Sequence, residues 1–154
     1  MSAPHFGYWG KARPLGAAGD DYHLLPYHCL DVAAVGVTLL KRSPALRKLF
    51  AEALVLDADE PLYSWFAFCL AIHDLGKFAE SFQGQRADLV KRLRGRDPDL
   101  GKPYVVRHDS LGWLIWEHHL KDCAADQCWF GPNSEDMLDG IGWWMRASTG
   151  HHGL

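Results

Sequence analysis

No run of apolar residues in this chain reaches the ~18 needed to span a membrane, so no membrane role is expected. Apolar–polar alternation of convincing length is missing too, as are internal repeats and low-complexity tracts, which leaves an all-α reading. Thiols at metal-binding spacing are lacking. Of the four cysteines, Cys123 and Cys128 are too isolated for a zinc site, and Cys29 and Cys69 fall inside apolar helical runs as small core residues. No secretory signal opens the sequence, and a reducing cytoplasm is the expected setting. Excess positive charge is also absent. With a net charge of -3 and a pI near 6.3, nothing global demands nucleic acid as a partner.

What is present is enough apolar material for one domain. At 154 residues and 48% hydrophobic content, residues 1–154 read as a single unit with a buried core, preceded over 1–20 by an irregular Gly/Pro/Ala-rich leader. Seven tryptophans suggest aromatic packing between helices. The charge is unevenly spread. From Arg86 to Arg107 there are seven basic residues against three acids, and from Asp109 to Asp139 seven acids against one lysine. The basic stretch, with Lys91, Arg92, Arg94 and Arg96 at its centre, reads either as a phosphate-facing strip or as a solvated helix face.

The helical period places chemistry on the core side. Asp20 or Asp21 can cap a helix to about Arg42, with Leu25, Cys29, Val32, Gly36 and Leu39 on one stripe and His28 facing inward. Ser43-Pro44 begins a second helix. Glu60-Pro61 begins a third, whose stripe of Leu62, Trp65, Phe66 and Cys69 leads to His73. The stretch Leu70–Phe78 then sets His73 and Asp74 side by side, and Gly76 is expected to let the chain turn sharply before Lys77. Phe78 and Phe82 can dock back on the core, and Tyr8-Trp9-Gly10-Lys11 can pack over the domain. His108 opens a further helix reading Leu111, Gly112, Ile115 and His119 on one face. Ser134 can cap a last helix that ends at His151-His152.

One histidine on an apolar stripe is usually a hydrogen-bonded core residue. Here His28, His73, His108 and the His151-His152 pair all end on core-facing stripes of different helices. Burying so many titratable groups is costly without a shared partner. A divalent metal is such a partner, and imidazole with carboxylate suits manganese, iron, cobalt, nickel or zinc. Asp74 can bridge two ions, which held ~3.5–4 Å apart would support phosphoester hydrolysis. Lys77 can neutralise charge on phosphoryl oxygens. Asp31, three residues after His28, either orients that imidazole or is a surface aspartate. His5 and His23 are set aside. So is His118-His119, because at ~1.5 Å rise per residue it lies roughly 15 Å from His108.

Taken together, Tyr8–Lys11, Tyr27–Ala34, Ile72–Phe78 with Phe82-Gln83, His108 before Leu111-Gly112, and Thr149–Gly153 resemble a known family. It is the N-terminal HD nuclease domain of the CRISPR-associated nuclease-helicase of type I systems. The resemblance implies an all-helical HD-domain bundle and a divalent metal cofactor of up to two ions, with magnesium as a further candidate. It also implies nicking and degradation of single-stranded DNA exposed by an RNA-guided surveillance complex. By resemblance His28, His73 and Asp74 serve one metal, and Asp74, His108, His151 and His152 the other, with Lys77 assisting at the phosphate. The family pattern supplies a further aspartate downstream of the His-His-Gly motif. The sequence given ends at Leu154, so the expectation is a bundle incomplete at that end, with the first site short of one carboxylate. Two other roles stay open. One is a non-catalytic module that binds the surveillance complex or a separate helicase chain; the other is a nucleotide phosphohydrolase using the same metal chemistry.

Overall fold

The computed structural model describes residues 4–14, 16, 18, 21–55, 58–131 and 134–150, with the backbone alone at 134–136 and 139. The roles expected of Ser134, His151 and His152 fall outside it. Two short strands, β1 (Trp9–Ala12) and β2 (Tyr22–Leu24), form an antiparallel pair ahead of helices α1 (Leu25–Arg42), α2 (Pro44–Leu54) and α3 (Asp59–Ala71). Short helices α4 (Glu80–Gln83) and α5 (Ala87–Arg94) follow. Next comes one continuous rod made of α6 (His108–Ile115), a π-helical segment (Trp116–Leu120) and α7 (Lys121–Asp126). Helix α8 (Ser134–Thr149) completes the described chain. Among the described residues no helix is long and apolar enough to cross a membrane.

The helices start and stop where backbone chemistry allows. Pro26 sits in the first turn of α1 and Pro44 in that of α2, where an N–H would have no intrahelical acceptor. The Ser43 hydroxyl accepts from the Leu46 N–H, as a capping serine should. The first helix does not begin at Asp20 or Asp21. Residues 22–24 pair instead with β1, and the strands are too short, and bulged between Trp9 and Lys11, to alternate visibly in sequence.

One core cluster gathers Trp116, Ala124, Leu138, Ile141 and Met145, packed by Trp65, Phe68, Ile72 and Leu75. A second holds Trp9, Phe82 and Leu89 with Tyr22, Leu93 and Tyr104, and it ties the small sheet to the helices. The π-helical segment changes the expected face of the His108 rod. Trp116, four residues after buried Gly112, continues the buried face, and the π-helical turn that begins there leaves His118 and His119 exposed. The aromatic content is not all core, since Trp143 is 78% exposed.

The basic segment is held by ion pairs. Arg94 donates to Glu80 and to the Gly7 carbonyl, both at 2.8 Å, and lies on the Tyr8 ring at 3.9 Å. Arg96 also grips Glu80, Arg92 pairs with Asp21 at 2.9 Å, and Lys91 pairs with Asp97 at 3.3 Å. Hydrogen bonds from Arg96, joined by Arg94, outweigh burial and bring the Glu80 carboxyl from an ordinary 4.5 down to about 2. The unfolded chain therefore takes up this proton at a higher pH than the folded one. The stabilisation from Glu80 is complete above 4.5 and is lost as the pH falls through about 2. Thermal unfolding of Glu80→Gln is expected to lose less stability between pH 5 and pH 2 than wild type does.

Candidate metal centre

Asp74 is the centre of the site, 1% exposed, and four side chains from three parts of the chain converge on its carboxylate. Oδ2 is 3.0 Å from His28 Nε2, 3.2 Å from His73 Nε2 and 2.7 Å from Lys77 Nζ. Oδ1 faces His108 Nε2 at 3.5 Å. The stripe that carries His28 inward on α1 leaves it buried. Helix α3 stops at Ala71, so His73 and Asp74 leave it on a turn, which the Lys77 N–H closes on the Asp74 carbonyl.

Close backbone approach brings the other two partners in. Gly76 is not in the left-handed region, so the reason for glycine here is space, not the turn expected from sequence. A Cβ at Gly76 would collide with the carbonyl oxygen of His108 and the amide of Gly112, so the His-Asp turn lies directly on the start of α6. Gly112 in turn lies against the Thr149 side chain, which fixes the end of α8 beside the His108 helix. On the other side, a Cβ at Gly10 would stand 2.9 Å from Leu25 Cα and 3.2 Å from His28 Cβ. β1 therefore runs across α1 just where His28 projects.

Gln83 locks that strand in place and is fully buried. Its Oε1 accepts from the Trp9 N–H, and its Nε2 donates to the carbonyls of Trp9 (2.8 Å) and Lys77 (2.7 Å). Its own carbonyl takes the Trp9 indole N–H at 3.1 Å. Lys77 Nζ reaches the Gly10 carbonyl at 3.3 Å, so the same clamp sets both ends of that lysine.

The donor set fits a divalent cation. The His73 Nδ1 lies 2.7 Å from the Leu70 carbonyl, which can only accept, so Nδ1 carries the proton. Nε2, 3.2 Å from Asp74 Oδ2, then either donates a proton to that carboxylate or, in the neutral ring, gives its lone pair to a cation held beside it. The ligand atoms of His28, His73 and Asp74 all lie within 4.8 Å of one another. Burial, partly opposed by Asp74, lowers the pKa of His28 and favours the neutral ring that a metal needs. Burial on its own would raise the Asp74 carboxyl, but hydrogen bonds from His73 and Lys77 hold it well below the usual carboxylate range, so it is ionised.

The site thus gathers His28, His73, Asp74, Lys77 and His108, as the sequence suggests. Asp31 does not orient His28; it pairs with His23 at 3.4 Å. Three residues around the site carry no role that the sequence shows. Gln83 enters the sequence reading only within the Phe82-Gln83 piece of the family resemblance. Tyr104 gave no signal in its loop. Asp109, buried beside His108 and paired with Arg107 at 3.1 Å, read as one acid among seven.

The sequence is similar to known proteins. The family model described as "Cas3, HD domain" matches residues 9–154. The CRISPR-associated endonuclease/helicase Cas3 of Escherichia coli (strain K12) is 32% identical over 154 residues, covering 96% of this chain and 17% of that protein. The protein of the same name from Thermus thermophilus is 39% identical over 76 residues, covering 49% of this chain and 8% of that protein. The chain therefore spans less than a fifth of the length of these relatives. No solved structure matches it at a significant level. Matched almost from end to end, and built around a buried His-Asp turn, this chain belongs to the Cas3 HD-domain family.

Proposed function

We propose that this chain is a divalent-metal-dependent nuclease domain that hydrolyses phosphodiester bonds of single-stranded DNA during CRISPR interference. One observation carries the reading: imidazoles from α1, the α3 turn and α6 all aim Nε2 at the carboxylate of Asp74. His28, His73 and Asp74 would hold one ion, and Asp74, His108, His151 and His152 a second. Manganese, iron, cobalt and nickel suit such donors best. A bound ion supplies Lewis acidity toward a phosphoryl oxygen.

The protein's own groups do the rest. Asp74 stays ionised and keeps the imidazoles oriented. Lys77, held by Asp74 and the Gly10 carbonyl, sets a positive charge beside the site for a phosphate oxygen. Of the four basic residues expected to guide a strand, Arg94 is committed to Tyr8, Gly7 and Glu80. Lys91 and Arg92, with side chains 70% and 59% exposed, are the better placed to meet DNA.

The test is nicking of single-stranded DNA by purified chain with manganese, cobalt or nickel, and its loss with chelator. No cleavage by protein shown to carry bound metal would contradict the proposal. Release of phosphate from nucleotides, with no action on DNA, would favour a phosphohydrolase instead.

A second reading, a binding module for a helicase chain or the RNA-guided surveillance complex, draws on a different feature. An apolar groove of about 540 Å³ runs beside His28 between α1 and α3, lined by Val32, Val35, Leu39, Phe66 and Leu70. Association that survives His73→Ala and Asp74→Ala in folded protein would support it.

A further inference from the structure

Two of the three imidazoles aimed at Asp74 are held by different chemistry at their far nitrogens. His73 Nδ1 meets the Leu70 carbonyl, which fixes one tautomer. His108 Nδ1 meets the hydroxyl of Tyr104 at 3.0 Å, and the same oxygen accepts the backbone N–H of His108 at 2.8 Å. A tyrosine hydroxyl has one hydrogen and two lone pairs. With one lone pair given to the backbone N–H, it can still accept from Nδ1–H or donate to a bare Nδ1. The ring keeps the same position in both cases, and only the proton on Nε2 differs.

We propose that Tyr104 is a positioning residue that holds His108 with Nε2 toward Asp74 and lets it present a lone pair there, so that it can serve as a metal ligand. Tyr104 belongs to the loop before α6 and reaches His108 four residues on, so the hydroxyl also ties down the first turn of that helix. Phe82 closes the arrangement. Its ring meets Tyr104 edge-on at 5.7 Å and His108 at 5.4 Å, which opposes rotation of either ring. The inference rests on the reading of His108 as a ligand and extends it to a residue that touches no substrate. Outer partners of this kind typically tune metal affinity by about 10- to 100-fold.

The experiment is titration of the full chain with zinc alone, followed by calorimetry, for wild type, Tyr104→Phe and His108→Ala. Phenylalanine keeps the ring against Phe82 and removes only the hydroxyl. His108→Ala is expected to lose one zinc-binding event. Tyr104→Phe should weaken that same event by about 10- to 100-fold and leave the other unchanged. A wild-type titration curve for Tyr104→Phe, alongside a lost event in His108→Ala, overturns the role of Tyr104 and leaves the ligand reading intact. A wild-type curve for His108→Ala overturns both. Long-range nitrogen–proton NMR of zinc-loaded wild type decides the matter even if Tyr104→Phe does not fold. His108 protonated on Nδ1, with Nε2 bound to zinc, is the expected pattern; a proton retained on Nε2 contradicts the proposal.

Discussion

Asp74→Ala is expected to abolish divalent-metal binding and to cut nicking of single-stranded DNA by about 10³-fold or more, a loss of ~4 kcal/mol in transition-state stabilisation. Oδ2 alone meets His28, His73 and Lys77, and Oδ1 faces His108, so a single truncation disconnects every element of the site. Deleting the carboxylate also strips the Lys77 ammonium, whose side chain is 12% exposed, of its counter-charge and leaves it the Gly10 carbonyl and the Phe82 ring. Removing one member of a buried pair typically costs about 3–5 kcal/mol. Asp74→Asn is therefore the companion variant, because it keeps the shape and one acceptor oxygen while removing the charge. Metal titration and a nicking assay should fail for both, with folding checked by circular dichroism. Metal-dependent cleavage at the wild-type rate in either variant would break the link between Asp74 and chemistry.

Gly76→Ala should cost about 4 kcal/mol or more, enough to unfold the domain at moderate temperature. The new methyl would meet the His108 carbonyl and the Gly112 amide. These are backbone atoms at the start of α6, and they cannot move aside as a flexible side-chain tip can. Any relief pushes α6 away from the HD turn and takes His108 from Asp74. Gly140→Ala is the internal control: it lies in α8 with open space around the would-be Cβ. There the substitution should stabilise by about 0.5–1 kcal/mol through helix propensity. Opposite signs from two glycine-to-alanine changes, measured by thermal melts, would separate close approach from backbone entropy. Equal melting temperatures for Gly76→Ala and wild type would contradict the packing described.

The legible part of this protein was the part written in local pattern. His28 sits on the core stripe of α1, and His73-Asp74 follow an apolar helix, so period alone pointed both inward. The rest depends on contacts far apart in sequence. The strand Trp9–Ala12 is held by the side chain of Gln83, 74 residues from Trp9, and no short-range signal announces it. Gly76 stands out in the sequence as a turn glycine, yet a turn glycine and a close-approach glycine look alike until the partner backbone is known. The basic segment was easily seen, but Glu80, which joins Arg94 from 14 residues away, belongs to a different helix and was not read as its counter-charge. The register of the His108 helix is readable through Trp116, after which the wider π-helical turn leaves His119 exposed.

The most direct test of the account is the number of divalent ions that stay with each chain after purification without oxygen, compared with Asp74→Ala. Imidazoles gathered on one ionised carboxylate are expected to retain one or two ions in wild type and none in the variant. A folded wild-type chain that retains no ion, even when manganese, cobalt and nickel are supplied, would contradict a metal centre at Asp74.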